Sequence, residues 1–228
     1  MSMRNPVHVT PIIYPESDGK PMAETDVHRR LLSDLIFALD NFFQAQPDVY
    51  VSGNLLIYYV EGDPKKRVAP DVFVVRGVPK GERRIYKLWE EGRPPEVVIE
   101  LSSRQTWRED LQMKWQLSAQ LGVREYYIFD PEYDYLDQAL IAYQLEGDQY
   151  IEVEVKAGRV RSEALGLELV DTSETLRLFD PQAGKFLPTT REAAAAHQRA
   201  EAAEAEAARL RAELERLRQH AADQDRAQ

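Results

Sequence analysis

The sequence predicts an α/β domain followed by a separate C-terminal helix, and three features carry that expectation. Residues 95–130 read strand, helix, strand, the pattern of a βαβ-like unit with adjacent strands. Residues 138–180 alternate short strand runs with the turns LEGDQY, KAGR and DPQAG, which reads as a β-meander. From about residue 188 the composition turns to Ala, Glu, Arg and Leu with apolar residues three and four apart. The expected division is therefore a globular domain over 1–187 and a C-terminal coiled-coil helix over 188–228.

Taken in order, residues 1–23 carry Pro, Ser and Gly without a sustained period and read as extended chain. AETDVHRRLLSDLIFALDNFF then gives an amphipathic helix capped by Thr25, with Val27, Leu31, Leu35, Leu39 and Phe42 on its apolar face. VYVSGNLLIYYV (49–60) is rich in aromatic and β-branched residues and reads as one strand with a bulge at Gly53. EGDPKKR turns the chain, and VAPDVFVV returns as the partner strand. Residues 76–94 form a polar loop or short helix, with six basic residues against three acidic ones. PEVVIELSS is a buried strand. TWREDLQMKWQLSAQLG is a helix, with Leu111, Trp115, Leu117 and Leu121 on one side and Gly122 closing it. REYYIFDPE returns as a strand, so Tyr126 and Tyr127 belong to the core, with one hydroxyl able to face a site.

The C-terminal segment places Ala193, Ala196, Ala200, Ala203, Ala207, Leu210, Leu214, Leu217 and Ala221 at alternating spacings of three and four. That is a heptad seam, and it predicts a homo-oligomer, a dimer in the simplest case. A solitary solvated helix held by i,i+4 pairs is the alternative. Its seven basic and eight acidic residues nearly cancel, so nearly all of the net charge of −10 belongs to the globular part.

Composition removes several classes. There is no cysteine, which excludes disulfides and thiolate metal sites, and no histidine-rich tract, which disfavours zinc. No apolar run approaches the roughly 20 residues that span a bilayer, and no signal-type N-terminus is present, so no membrane partner and a cytoplasmic location are expected. No Walker glycine loop or Ser-His-Asp constellation occurs. The acidic balance argues against indiscriminate binding of nucleic acid, although the basic stretch at 76–94 and the turn at Lys65, Lys66 and Arg67 are local exceptions.

The remaining signal is a pair of carboxylates set in apolar runs, Asp71 in APDVFVV and Glu100 in VVIELSSR. An ionised carboxylate inside such a strand costs several kcal/mol unless something compensates it. Two of them on adjacent strands can share one hard divalent cation, Mg²⁺ or Mn²⁺, bound through oxygen with waters completing the shell. Such an ion polarises a phosphoryl oxygen and acidifies a bound water, as phosphodiester hydrolysis requires. In the segment 76–94, Lys87 and Trp89 are candidates to contact a phosphate and stack a base, against the plainer reading of a solvated loop with one aromatic anchor.

The stretch APDVFVV…PEVVIELSSRQTWREDLQMKWQLSAQLGVREYYIFDPE resembles the Uma-two family of restriction-endonuclease-like proteins, a branch of the PD-(D/E)XK nuclease superfamily. The likeness runs from SDGKPMAETDVH to about Asp180. It implies a restriction-endonuclease-like central mixed sheet flanked by helices, with a Mg²⁺ site at Asp71 and Glu100. The usual Glu-x-Lys is here Glu100-Leu101-Ser102, and the resemblance implies that Lys114 on the following helix replaces the missing lysine. Asp110 and Lys114 are four apart and share one helix face. Glu24 looks like the additional acidic residue from the first helix, and His28 follows one turn later.

The expected function is thus a Mg²⁺-dependent endonuclease acting on DNA. Asp71 and Glu100 hold the metal, Glu24 supports it, Lys114 positions water, and His28, Lys87, Trp89 and Ser102 are possible substrate contacts. The rival is a catalytically inactive nuclease fold kept as a binding or assembly module, with the coiled coil as its working part.

Overall fold

The computed structural model describes residues 12–17, 19, 25–103 and 106–226 and divides the chain into two compact units, 1–187 and 188–228. Glu24, and most of the segment read as extended, lie outside the described residues.

Helix α1 (Asp26–Phe42) starts where the sequence predicts. Thr25 is extended and its hydroxyl accepts the His28 backbone N–H at 3.2 Å, which satisfies one of the open amides of the first turn. Leu31, Leu35 and Leu39 recur at i+4 and are buried on a single face.

That face lies against a six-stranded sheet of order β1-β4-β6-β7-β8-β9, built from β1 (Val49–Ser52), β4 (Val72–Arg76), β6 (Val97–Leu101), β7 (Glu125–Phe129), β8 (Leu140–Glu146) and β9 (Gln149–Val153). Within this sheet only β6 and β7 are parallel neighbours; β4 runs antiparallel to both β1 and β6. The parallel pair needs a crossover, supplied by the helical stretch 107–121, so the βαβ expectation holds. Two short strands, β2 (Ile57–Tyr58) and β3 (Arg67–Val68), join β5 (Tyr86–Lys87) in a three-stranded sheet, followed by the one-turn helix α2 (Leu88–Glu91). A four-stranded sheet contains β10 (Arg159–Ser162), β11 (Leu167–Asp171), β12 (Leu176–Asp180) and β13 (Lys185–Phe186). The strand-rich segment from 138 therefore divides, its first hairpin extending the main sheet and the rest forming a sheet of its own.

Period-two alternation sorts the main sheet into two apolar layers. Val72, Val74, Val97, Ile99, Leu101 and Phe129 face α1 and the leucines of β11 and β12, whereas Phe73, Val75, Val98, Tyr126 and Ile128 face the opposite side. Leu111 and Trp115 cover that second layer. By the same parity Glu100 goes with Val98, under the crossover helix.

That helix departs from expectation. It opens as α3 (Trp107–Glu109), widens into a π-helical turn over Asp110–Lys114 and closes as α4 (Trp115–Leu121), where left-handed Gly122 ends it. The predicted strand 49–60 is also two strands, because β1 stops at Gly53. A Cβ there would lie 2.0 Å from the Asp71 carbonyl oxygen and 2.7 Å from Ile36 Cδ1. Asp71 itself precedes β4 instead of lying within it.

The second unit is one helix, α5 (Thr190–Arg226), opened by a reciprocal cap. Glu192 N–H donates to Thr189 Oγ1 at 3.2 Å and Thr189 N–H to Glu192 Oε2 at 2.9 Å. Among the described residues no helix is long and apolar enough to cross a membrane.

Gly53→Ala should lower the unfolding free energy by about 1–3 kcal/mol, the usual cost of overpacking, read as an earlier urea midpoint. An unchanged midpoint would mean that β1 and the Asp71 turn separate easily.

Candidate functional site

Strand register fixes the first contact. Val72 pairs with Ile99, so one step outward along both strands sets Asp71 against Glu100. The two residues clasp reciprocally: Asp71 N–H donates to Glu100 Oε2 at 3.2 Å, and Leu101 N–H donates to Asp71 Oδ2 at 2.7 Å. Each carboxylate thus replaces a missing rung of the ladder at the strand end, where a backbone amide would otherwise be buried without an acceptor.

The crossover helix adds two charges. Lys114 Nζ donates to Glu100 Oε2 at 2.9 Å and lies 3.0 Å from Asp110 Oδ1. Ser102 Oγ donates to Asp110 Oδ2 at 3.3 Å, and Tyr126 O–H donates to the Asp110 carbonyl at 3.0 Å. The π turn spans Asp110 to Lys114, so the helix is widened where both side chains descend onto the sheet. From α1, His28 Nε2 approaches Asp71 Oδ1 at 3.7 Å. All of these side chains are buried or nearly so; Glu100 is 1% exposed and Asp110 and Ser102 are fully enclosed.

Three carboxylates against one ammonium cannot all carry full charge in such a place. Burial pushes the Glu100 carboxyl well above the ordinary range; Lys114 draws it back, but Asp71 and Asp110 add to the rise. Burial raises Asp110 as well, against the pull of Lys114. Burial also acts to raise Asp71, yet the His28 imidazole, Lys114 and the Leu101 amide outweigh it and hold Asp71 below the ordinary value. Burial disfavours the Lys114 ammonium, but Glu100, Asp110 and Asp71 more than compensate and keep it protonated. Asp71 is therefore the carboxylate whose charge the site favours, Lys114 the fixed cation, and Glu100 and Asp110 the carboxylates whose charge burial disfavours.

That deficit is what a divalent ion fits. With every group ionised, the three carboxylates and the Lys114 ammonium sum to a charge of −2. Asp71 and Glu100 offer only oxygen donors, the chemistry that Mg²⁺ and Mn²⁺ select. Among the described residues no three His, Asp or Glu side chains form a ready-made cage. Two carboxylates with water filling the rest is the ordinary way a small hard cation is held.

Comparison with known proteins gives the frame for this cluster. Residues 13–175 match the model of the Uma2 family, whose description reads "Putative restriction endonuclease". The chain belongs to the Uma2 family. Its mixed sheet, its crossover helix and the acidic pair at the ends of β4 and β6 together make a restriction-endonuclease-like α/β fold, as the resemblance in the sequence implies, and the family is one of nucleases at the level its description gives. A crystal structure from Anabaena variabilis, titled as a "putative nuclease belonging to DUF820", shares 16% identity over 64% of this chain and 76% of that one, with a TM-score of 0.48. No protein of curated function matches.

Within this Uma2 domain Asp71, Glu100, Ser102, Lys114 and His28 come together. Lys87 instead pairs with Glu90 at 2.8 Å and sits 5.2 Å from the Tyr14 ring, and Trp89 packs on that same ring at 5.3 Å. The residue not singled out by the sequence reading as part of the site is Asp110. Its one visible signal was the i,i+4 relation to Lys114, which on a helix is usually a solvent-exposed pair.

Two consequences follow for stability. Lys114→Ala strands two buried carboxylates and should cost about 3–5 kcal/mol, seen in urea unfolding with a chelator present. Glu100 has a raised pKa, so the folded state keeps a proton that the unfolded chain releases near its ordinary 4.5. Its stabilising contribution is full below that value and is lost as pH rises through the raised one. In chelator, Glu100→Gln should therefore lose less stability than wild type between pH 5 and 8; equal slopes would place the proton elsewhere.

Proposed function

We propose that this Uma2 chain is a Mg²⁺-dependent (or Mn²⁺-dependent) endonuclease that hydrolyses DNA phosphodiester bonds. The observation that carries the reading is the convergence of Lys114 and the Asp71–Glu100 pair at the ends of two central strands, short of two positive charges. Asp71 and Glu100 would hold the ion, which when bound supplies Lewis acidity at a phosphoryl oxygen and an acidified water. Glu24 would support it from the chain just before α1.

The protein groups divide the remaining work. Lys114 stays protonated, so it cannot take the proton of the attacking water; it orients that water and offsets charge growing on the phosphoryl group. In hydrolysis a water oxygen bonds to phosphorus, one bridging P–O bond breaks, and the proton given up by the water passes through solvent to the departing sugar oxygen, which leaves as a hydroxyl. His28 would keep Asp71 ionised and aligned, and Asp110 would fix the lysine. The basic run Lys65, Lys66 and Arg67, which leads directly to Asp71, supports a polyanionic substrate. Ser102, His28, Lys87 and Trp89 are proposed as further substrate contacts.

Serine at position 102 is no obstacle to this reading. Ser102 Oγ and Lys114 Nζ both reach Asp110, so a lysine entering from the strand and one entering from the helix would arrive at the same carboxylate.

The decisive experiment is Mg²⁺ and Mn²⁺ titration by calorimetry, alongside cleavage of single- and double-stranded DNA. Asp71→Asn and Glu100→Gln should each lose ion binding and reduce cleavage by at least about a hundredfold. Lys114→Met should retain measurable ion binding but lose cleavage to a similar extent. Wild type that binds neither ion and cuts neither substrate would leave the inactive binding module as the function. A second test moves the lysine: Ser102→Lys in the Lys114→Met background should recover at least about tenfold of the lost rate. No recovery would show that the two positions are not equivalent.

A further inference from the structure

Helix α5 carries an apolar seam that nothing among the described residues of the 188–228 unit covers. Leu210, Leu214 and Leu217 are 49%, 55% and 61% exposed. These three and Ala193, Ala196, Ala200, Ala203 and Ala207 fall in alternate steps of three and four, the a and d positions of a heptad. Over 37 residues the helix spans about 55 Å, at 1.5 Å per residue, so several heptads lie in one uninterrupted element.

We infer that this seam is the interface of a parallel, in-register homodimer, its occupant being α5 of a second copy. Charge at the flanking positions selects the partner and its direction. In a parallel pair each g residue meets the e residue five places further along the other helix. Reading from the seam, Arg199 meets the partner's Glu204, Glu206 meets the partner's Arg211, and Glu213 meets the partner's Arg218; each pair joins opposite charges. Glu192, already engaged in the cap, meets the partner's His197.

Antiparallel pairing fails on the same residues. The alignments that keep most of the seam together set Glu206 against a glutamate of the other copy, either its own counterpart or Glu213. They also place each leucine opposite an alanine. In the parallel register Leu210, Leu214 and Leu217 each meet their own counterpart, giving three consecutive leucine layers, while the alanines before them let the two helices approach closely. Both helices then start at the same end, so the chain tethers both globular units there. Two nuclease-type domains held at one end suit a substrate with two strands, and the pairing itself holds whether or not the acidic site is active.

The test uses the full chain. Sedimentation of wild type should give the mass of two chains. Glu206→Arg with Glu213→Arg sets arginine against arginine and should sediment as a monomer where wild type is a dimer; Arg211→Glu with Arg218→Glu should do the same. An equimolar mixture of the two variants should return to dimer mass. Because the chain has no cysteine, single cysteines report direction without touching the charges. Ala196→Cys and Leu217→Cys, each treated with copper–phenanthroline, should each form a disulfide-linked dimer with itself, since a and d residues face their own counterparts only in the parallel register. Monomeric wild type overturns the dimer, and failure of both cysteines to crosslink in a dimeric protein overturns the orientation.

Discussion

The structure around the site depends on one buried ammonium. Lys114 Nζ sits within 3.0 Å of oxygens from both Glu100 and Asp110, one at a strand end and one on its own helix. Without it, Asp71, Glu100 and Asp110 would crowd three acids into a region almost closed to water, and protonation would be the only relief. With it, Asp71 can remain ionised and the crossover helix is held down over the ends of β4 and β6. The apolar residues beside Glu100 make the arrangement affordable. Val98, Ile99 and Leu101 are buried to within 1%, each contributing about 1.5–3 kcal/mol, enough to offset a penalty of several kcal/mol for one carboxylate.

The π turn belongs to the same constraint. A regular helix over TWREDLQMKWQLSAQLG would still place Asp110 and Lys114 one turn apart. The wider turn, spanning these two residues, accompanies the Tyr126 hydrogen bond to the Asp110 carbonyl and the burial of both charges. The wider turn thus falls where the helix places its buried charges, as π insertions in helices frequently do at functional sites. Gly53 is a second mark of crowding at this corner: β1 passes so close to the Asp71 carbonyl that no side chain fits.

How much of this could be read in the sequence depends on how local the cause is. The start of α1 was legible because Thr25 and the apolar repeat both lie within a few residues of it. The βαβ unit was legible for the same reason: period two changes to a helical period and back. Asp71 and Glu100 stood out because charge is costly in an apolar strand, whatever surrounds it. Asp110 did not stand out, since an acid four residues before a lysine on a helix is the commonest of surface pairs. Only tertiary packing, with Leu111 and Trp115 turned onto the sheet, takes that pair out of water. At Gly53 the sequence marked a bulge but not a full break, and the division of the strands after residue 138 was illegible, because both are set by distant neighbours in space.

The serine at 102 shows how a site can keep its charges while its sequence signature changes. In this fold the strand bearing Glu100 and the helix that follows it are joined by a short connection and packed face to face. A side chain entering from either element can therefore reach the same carboxylate. Ser102 and Lys114 both end at Asp110, one by a hydroxyl and the other by an ammonium. What the site requires is a cation at one point, and the backbone offers two routes to it. A lysine on the strand would be fixed by its neighbours in the ladder. One on the helix depends on the whole crossover being seated, so assembly of the site becomes a consequence of folding the βαβ unit. The charge balance then couples chemistry to stability. Burial disfavours charge on Glu100, and the deficit of positive charge that leaves it so is the one a divalent ion would fill; both follow from placing three acids around one lysine.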